Sequence, residues 1–453
     1  MTQSAELIQK ITDRTATISV IGLGYVGLPT AVFFAEEGFS VIGADLDETK
    51  VKLINSRRSP LHELQLDTQL ANVVQRRQLS ATTDVIEAVR TSDICLIIVP
   101  TPVTDAKEPD LRYIQAACRD VRDGLHPGML IVLESTTYPG TTEDIVQPIL
   151  EETGLRAGED FGLAYCPERY NPGDAAHPIR KVARVVGGIK PEWTEAAVQL
   201  YTSIIDVGVH PVSSLRTAEA AKIIENIQRD LNIALMNELA LIFERMDIDV
   251  MEVILAAATK WNFNVYYPGP GVGGHCLPVD PYYLTKKAQE LGYHAQVILA
   301  GRRVNDTMPL HVLDLLIDGL NEAGKPLKGS KILVLGTSYK ANTADLREAP
   351  SEVLIHESVV RGAQVSVADP YCEEDVVFGC PCIPLLRSMV SEYDAVVYMV
   401  DHDVFKGQIN EIVLNMRSET VFVDGRRGVD PVLAEQTGLI YRGVGYSNRG
   451  GRE

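Results

Sequence analysis

The chain has 453 residues, enough for two or three cores at the 100–200 residues usual for one domain. Its hydrophobic share of 45% and charged share of 23% place it among ordinary globular proteins, and its net charge of −19 argues against a nucleic-acid partner, which needs a basic face. An anionic small molecule is still compatible with a small basic pocket inside an acidic exterior.

No apolar run approaches the roughly 20 residues of a membrane helix. The opening MTQSAELIQKITDR is polar and lacks the apolar core of a signal peptide. Seven cysteines, an odd number in a long chain, do not read as a disulfide framework. The expectation is a soluble, reduced, cytoplasmic protein with no membrane partner.

Residues 1–205 alternate β-branched runs with amphipathic stretches. Thr17–Ile21, Ser40–Ala44, Ile94–Val99 and Met129–Leu133 read as buried strands, and helical segments between them predict βαβ units on a parallel sheet. Directly after the first strand stands Gly22-Leu23-Gly24-Tyr25-Val26-Gly27, a G-x-G-x-x-G that runs into a helix over Thr30–Glu37. Gly22 permits the tight turn, Gly24 lets backbone approach a pyrophosphate, and Gly27 allows close helix–strand packing. The helix N-terminus then faces the phosphates. Asp45 ends the next strand, 18 residues beyond Gly27. A carboxylate there accepts from the ribose hydroxyls and repels a 2′-phosphate, so NAD is expected over NADP.

Residues 206–322 are mainly helical. Thr217–Arg245 contains neither Gly nor Pro, and Ile224, Ile227, Leu231 and Leu235 recur at helical spacing, predicting a spine of roughly 40 Å that joins two domains and presents a dimer surface. Lys222 and Asn226, one turn apart, are expected on the face opposite that stripe, where a cation and an amide can hold an oxyanion or simply meet solvent. After this helix comes a loop with four glycines in nine residues, Gly269–Leu277, from which Cys276 emerges. So many glycines leave backbone N–H groups bare, and a thiolate among them can attack a carbonyl. The competing reading, a small apolar filler, is the one that fits Cys95 and Cys118. No His or Cys spacing suggests a zinc site, since Cys380-Pro381-Cys382 has no second pair.

From residue 323 the strand rhythm returns: Lys331–Gly336 ends in Gly, Gln364–Asp369 ends in an acid, and Ala395–Val400 follows. The fold expected is therefore α/β, two Rossmann-like parallel-sheet domains joined by a long central helix. Gly336-Thr337-Ser338-Tyr339-Lys340 lacks the full glycine pattern and is not expected to hold a second dinucleotide. Lys340 and Arg347 can meet other phosphates or be surface charge.

Together these pieces carry a resemblance. The chain is similar to the UDP-glucose/GDP-mannose 6-dehydrogenases in G-L-G-Y-V-G-L-P at 22–29, Pro100-Thr101-Pro102, Glu134 to Gly140, Cys166-Pro167-Glu168, A-A-K-I-I-E-N at 220–226, G-G-H-C-L-P-V-D at 273–280, Lys340 with Asp345 to Glu348, and Asp424 to Arg427. The resemblance implies an NAD enzyme that oxidises a sugar C6 alcohol twice. Cys276 would carry a thiohemiacetal and then a thioester, which water hydrolyses. It implies Lys222 and Asn226 as oxyanion holders, Asp280 as the carboxylate that orients Lys222 and the water, Glu168 as a general base and Thr101 as a water holder. On the cofactor side it implies Gly22, Gly24, Tyr25, Val26, Gly27, Asp45, Pro100, Thr101 and Thr136. On the sugar-nucleotide side it implies Glu168, Arg169, Lys222, Asn226, Gly273, Lys340, Arg426 and Arg427. The P-E-R-x-N-P-G version at 167–173 resembles the branch acting on UDP-N-acetylhexosamines, UDP-GlcNAc first and UDP-GalNAc next, that supplies surface polysaccharides, with Asn171 or Arg169 meeting the acetamido oxygen. A homodimer or higher homo-oligomer is expected. Two other readings compete: a UDP-glucose enzyme, and a non-catalytic Rossmann protein that binds a nucleotide sugar.

Overall fold

The computed structural model describes residues 2–61, 64–104, 107–169, 179–385 and 387–446. The chain divides into two compact units, 1–225 with 282–293, and 226–281 with 294–453. The helical middle of the chain is shared between them.

The first unit is built on eight strands: β1 Thr17–Ile21, β2 Ser40–Ala44, β3 Leu79–Thr82, β4 Ile94–Ile97, β5 Leu130–Leu133, β6 Gly162–Tyr165, β7 Arg184–Gly188 and β8 Val209–Pro211. Their order is β3-β2-β1-β4-β5-β6-β7-β8. Every neighbouring pair is parallel except β6 with β7. The first six strands follow the doubly wound order whose direction reverses between β1 and β4, where such sheets bind ligands beyond the strand carboxyl ends. The sequence forms these strands because both of their faces are apolar. Ile18, Val20, Ile94 and Leu96 join one buried cluster, while Ile21, Cys95, Ile97 and Ile131 join another on the opposite face. Cys95 and Cys118 are buried fillers, as expected.

The second unit repeats the plan with β9 Lys331–Leu335, β10 Gln364–Ala368, a short ribbon of β11 Val376–Val377 and β12 Cys380–Pro381, then β13 Ala395–Tyr398, β14 Val421–Asp424 and β15 Ile440–Gly443. Its five-stranded sheet, β10-β9-β13-β14-β15, is wholly parallel. Alternation again covers both faces: Ile332, Val334 and Val397 point one way, and Leu333, Leu335 and Val396 the other. The predicted strands stand: Thr17–Ile21 and Ser40–Ala44 keep both ends, the fourth starts one residue later at Leu130, and the others end one or two residues earlier where the backbone turns toward the loops.

The long helix spans Leu215–Glu244, beginning in the first unit and ending in the second. Its buried face differs from the expected stripe. Ile227 is buried, but Ile224 is 58% exposed and Leu235 49%, whereas Glu219, Lys222, Asp230 and Asn237 are all buried. The helix turns a polar face inward because those side chains find partners there. Asn237 accepts from the Gly269 N–H at 2.8 Å, and Asp230 accepts from Arg302 at 2.5 Å and Asn305 at 2.8 Å. Hydrophobic periodicity reads the wrong face when buried groups are satisfied by hydrogen bonds. Among the described residues no helix is long and apolar enough to cross a membrane.

Candidate active site

Gly22 follows β1 with φ +95°, and a Cβ there would lie 2.2 Å from the Ile98 carbonyl oxygen beyond β4. Gly27 opens the Gly27–Glu36 helix, where a Cβ would lie 1.9 Å from the Gly22 carbonyl oxygen. A Cβ on Gly24 meets nothing within 4 Å. Two glycines are thus required by the protein itself, and the third leaves open space. The helix is capped at Val26 by no side chain, and of its first residues Leu28 donates to the Gly24 carbonyl at 3.1 Å while Pro29 has no N–H to satisfy. Tyr25 beside it is 59% exposed. Asp45 Oδ2 accepts from the Leu23 N–H at 2.9 Å and from Lys50 Nζ at 3.2 Å, and Oδ1 accepts from the Asp47 N–H at 3.0 Å. An open glycine, a helix start pointed at it and a carboxylate at the second strand fit the pyrophosphate and ribose of a dinucleotide.

The loops after β4 and β5 are sewn together by Ser135, whose hydroxyl accepts from the Val99 N–H and donates to the Val99 carbonyl, both at 2.9 Å. This sets Pro100 and Thr101 on one loop and Thr136 on the next. Tyr283 donates to the Thr101 carbonyl at 2.9 Å and fixes the first of them further. Beyond Thr136, buried Glu219 accepts from the Gly140 N–H at 2.5 Å, the Thr142 N–H at 2.8 Å and the Thr142 hydroxyl at 2.6 Å. Burial raises the Glu219 pKa, and those bonds oppose the rise. Glu219 stands one turn before Lys222 on the long helix, so the same helix face anchors the Thr136 loop and carries the buried lysine.

Glu168 follows β6 and is bonded to Arg184, the first residue of β7. Its Oε1 accepts from the Arg169 N–H at 2.6 Å. Arg184 is wholly buried and also donates to the Pro167 carbonyl at 3.0 Å and to Glu134 at 3.4 Å. Glu134 accepts from the Tyr201 hydroxyl at 2.6 Å, and burial pushes its carboxyl up to about 7. The Arg169 guanidinium is committed to the protein: it contacts Glu225 at 2.7 and 3.1 Å and donates to the Ala183 carbonyl at 2.7 Å. Asn171 lies outside the described residues.

In the second unit the cysteine loop is pinned from below. Gly274 N–H donates to the Arg347 carbonyl at 3.0 Å, and a Cβ on Gly273 would lie 2.4 Å from the Glu348 carbonyl oxygen. The half-buried Cys276 accepts at its carbonyl from the Asp280 N–H at 2.8 Å. Asp280 is 2% exposed, and its Oδ2 accepts from Asn226 Nδ2 at 2.5 Å. The backbone of Cys276, the Asp280 carboxylate and the Asn226 amide are thus joined in one chain of hydrogen bonds. Tyr339 packs beside Gly274, and burial raises its pKa.

The arginine pair separates. Arg427 is locked on Asp249 at 2.7 and 3.0 Å with a side chain 5% exposed. Arg426 donates to the Met399 carbonyl at 2.8 Å and reaches toward Gly269, which opens the cysteine loop. Half-buried Lys340 accepts at its carbonyl from the Ser338 hydroxyl at 2.8 Å, and Arg347 is paired with Asp345 at 2.5 Å. Sequence reasoning missed Glu134, Arg184, Tyr201, Glu219 and Asn237. The available signal was polar side chains opening or closing β-branched runs, as in Arg184-Val185-Val186.

The UDP-glucose/GDP-mannose dehydrogenase family matches in three parts: its NAD binding domain at residues 16–205, its central domain at 216–307 and its UDP binding domain at 333–431. A UDP-N-acetyl-D-glucosamine 6-dehydrogenase of Pseudomonas aeruginosa is 40% identical over 90% of this chain and 96% of its own. Among solved structures, a UDP-D-ManNAc dehydrogenase from Pyrococcus horikoshii superposes with a TM-score of 0.86 at 36% identity, covering 95% of this chain and 99% of that one. An NDP-N-acetyl-D-galactosaminuronic acid dehydrogenase from Methanosarcina mazei Go1 gives 0.85 at 33% identity over the whole of both chains. With the family's three domains present in order and a glycine turn of dinucleotide geometry, the chain belongs to the UDP-glucose/GDP-mannose dehydrogenase family and is an NAD-dependent nucleotide-sugar dehydrogenase.

Proposed function

We propose that the enzyme oxidises C6 of a UDP-N-acetylhexosamine to the carboxylate, UDP-GlcNAc first and UDP-GalNAc next, through a covalent intermediate on Cys276. The observation that supports this best is the hydrogen-bonded turn that links Cys276 to Asp280 and Asp280 to Asn226. A buried carboxylate holding an amide beside a loop cysteine is costly to maintain in a protein that only binds.

NAD, when bound, supplies a two-electron acceptor, and the overall conversion of alcohol to carboxylate uses it twice. The protein's own work is then as follows. The aldehyde carbon is attacked by the Cys276 sulfur, forming a C–S bond and a hemithioacetal. Lys222 and Asn226 hold the oxygen as its charge develops. Removal of two electrons from the hemithioacetal leaves a thioester, and water cleaves the C–S bond to release carboxylate and thiol. Asp280 keeps Asn226 in place, and Glu168 takes the proton from the attacking oxygen. Thr101, held through its carbonyl by Tyr283, positions water near the nicotinamide side. Gly273, Lys340 and Arg426 meet the nucleotide, while Arg427 supports the loop through Asp249. Arg169 serves by clamping the loop after β6 to Glu225, a change from direct contact with the acetamido group. Working as a homodimer or larger homo-oligomer would cover the exposed Ile224, Leu235, Ile242 and Met246.

The test is NADH yield against UDP-GlcNAc, UDP-GalNAc, UDP-ManNAc and UDP-glucose. Two NADH per sugar are expected. kcat/KM for the best acetamido sugar should exceed that for UDP-glucose by roughly 10²-fold, the order expected when polar groups built for an amide lose their partner. One NADH with free aldehyde would remove the thioester. Equal turnover of UDP-glucose would replace the acetamido reading.

A further inference from the structure

We propose that Arg184 is a positioning residue for Glu168, its buried guanidinium fixing the aim and the charge of that carboxylate while Glu134 and Tyr201 hold it from behind. The inference rests on Glu168 acting as the substrate-side base.

The sheet itself delivers the pair. β7 is the one strand that runs antiparallel to its neighbour β6, with Tyr165 opposite Gly187. Carrying that register three residues further sets 168 opposite 184, so the first residue of β7 faces the end of the loop that bears Glu168. A parallel strand here would place its first residue at the far edge of the sheet.

Arginine at this position is otherwise hard to account for. Its side chain is wholly buried, and its Nε has no hydrogen-bond partner. An apolar residue would fill the interior without leaving that group unpaired. What the guanidinium gains is two anions and the Pro167 carbonyl, immediately before Glu168. One buried cation thus stands between two carboxylates. Glu134 is the carboxylate that yields, since burial and the neighbouring Glu168 push it up to about 7, while Tyr201 donates to it at 2.6 Å. Glu168 keeps the other side of the fork and a peptide N–H from Arg169.

Among the described residues, the charged and titratable groups around Glu168 include Arg184 from β7, Glu134 after β5, Cys166 and Arg169 on its own loop, Tyr201 on the Pro191–Thr202 helix, and Glu225, which faces Arg169. Arg184 meets the carboxylate with the full positive charge of its side chain at bonding distance.

The experiment uses the full-length enzyme with NAD and its best UDP-sugar, reading kcat, KM, thermal midpoint and the pH profile of kcat/KM. Glu134→Gln/Arg184→Met removes the cation and one anion together, so no lone charge is stranded behind Glu168. We expect its KM for NAD to hold, kcat to fall at least 10-fold, and the acidic limb of the profile to move up by about one pH unit, the size an adjacent opposite charge produces. Arg184→Lys should restore part of both. Glu134→Gln alone keeps the shape and the Tyr201 contact, and should leave kcat and the acidic limb close to the parent's, because Glu134 already holds its proton on that limb. Arg184→Lys keeps the test open if the double variant does not fold. A limb that coincides with the parent's and a kcat within twofold in the double variant, or in Arg184→Lys where the double variant does not fold, would make Arg184 a structural ion pair and overturn the proposal. Glu168→Gln, run in parallel, separates the two failures. If it keeps the parent's kcat and acidic limb, the base assignment falls and this inference with it; if it loses turnover while the Arg184 variants do not, only the positioning role falls.

Discussion

One open glycine and one crowded glycine in the same turn allow stability and cofactor binding to be pulled apart. At Gly24 the backbone φ is not positive and a Cβ would meet nothing within 4 Å. Gly24→Ala should therefore leave folding intact, or raise stability by up to about 1 kcal/mol through the unfolded chain. Its cost falls on NAD. A methyl group now stands where the pyrophosphate approaches the backbone, and losing one hydrogen bond to a charged group costs about 1.5–3 kcal/mol. That corresponds to roughly 10- to 150-fold in Kd. At Gly27 the added Cβ would sit 1.9 Å from the Gly22 carbonyl oxygen, so turn and helix must part by more than about 1 Å. Overpacking of that kind costs about 1–3 kcal/mol, a fall of several degrees in thermal midpoint. Calorimetric titration with NAD and thermal unfolding of both variants give the four numbers needed. The reasoning is refuted if Gly24→Ala binds NAD like the parent, or if it loses as much stability as Gly27→Ala.

Two further outcomes follow from the carboxylates. Asp45→Ala should weaken NAD at least 10-fold and narrow the preference over NADP, because the ribose acceptor, the charge that repels a 2′-phosphate and the Leu23 N–H anchor vanish together; unchanged kinetics with both cofactors would assign ribose recognition elsewhere. Asp369 is held down to about 2 from 3.8 by bonds from His402, Thr337 and Tyr371, against the opposing effect of burial. A folded pKa below the unfolded one adds stability above about pH 4 that is lost as pH falls toward 2, and a shift of this size is worth about 2 kcal/mol. Asp369→Asn should thus unfold more easily than the parent in urea at pH 7, with the gap closing as pH falls from 4; a gap independent of pH would dismiss the linkage.

Much of this was written in local pattern. β-branched runs mark the strands because a sheet covered on both faces needs apolar residues at every position, and Ile94-Cys95-Leu96-Ile97 satisfies both faces at once. The glycine turn was legible because sterics leave no other residue at positions 22 and 27. Where reading failed, long-range partners decided. Nothing within the helix sequence says that Asp230 will meet Arg302, 72 residues away, or that Asn237 will hold Gly269. Without those partners Ile224 and Leu235 look like the buried face. The same holds for Arg184: its role depends on an antiparallel register that no local spacing announces.

The two Rossmann-like units show how one device is used in two ways. In both, an acid at the end of the second strand accepts from the N–H that follows the first glycine, Leu23 for Asp45 and Thr337 for Asp369. In both, the other oxygen accepts from the N–H two residues on, Asp47 and Tyr371. The difference is what else arrives. Asp369 also receives the Thr337 hydroxyl at 2.9 Å, the Ser338 N–H at 3.3 Å and His402 Nε2 at 3.2 Å, and its side chain is 1% exposed. The His402 tautomer is set by its own backbone contact: Nδ1 accepts from the Asn342 N–H at 2.9 Å, so Nε2 carries the proton and faces the carboxylate. A carboxylate has about four lone-pair directions, and Asp369 has spent them on its own unit. Asp45 keeps 12% of its side chain open and takes Lys50 as its remaining partner. A ribose hydroxyl can still reach it. The dinucleotide therefore belongs with the first glycine turn, and in the second the buried histidine fills the place where a ribose would have to bind.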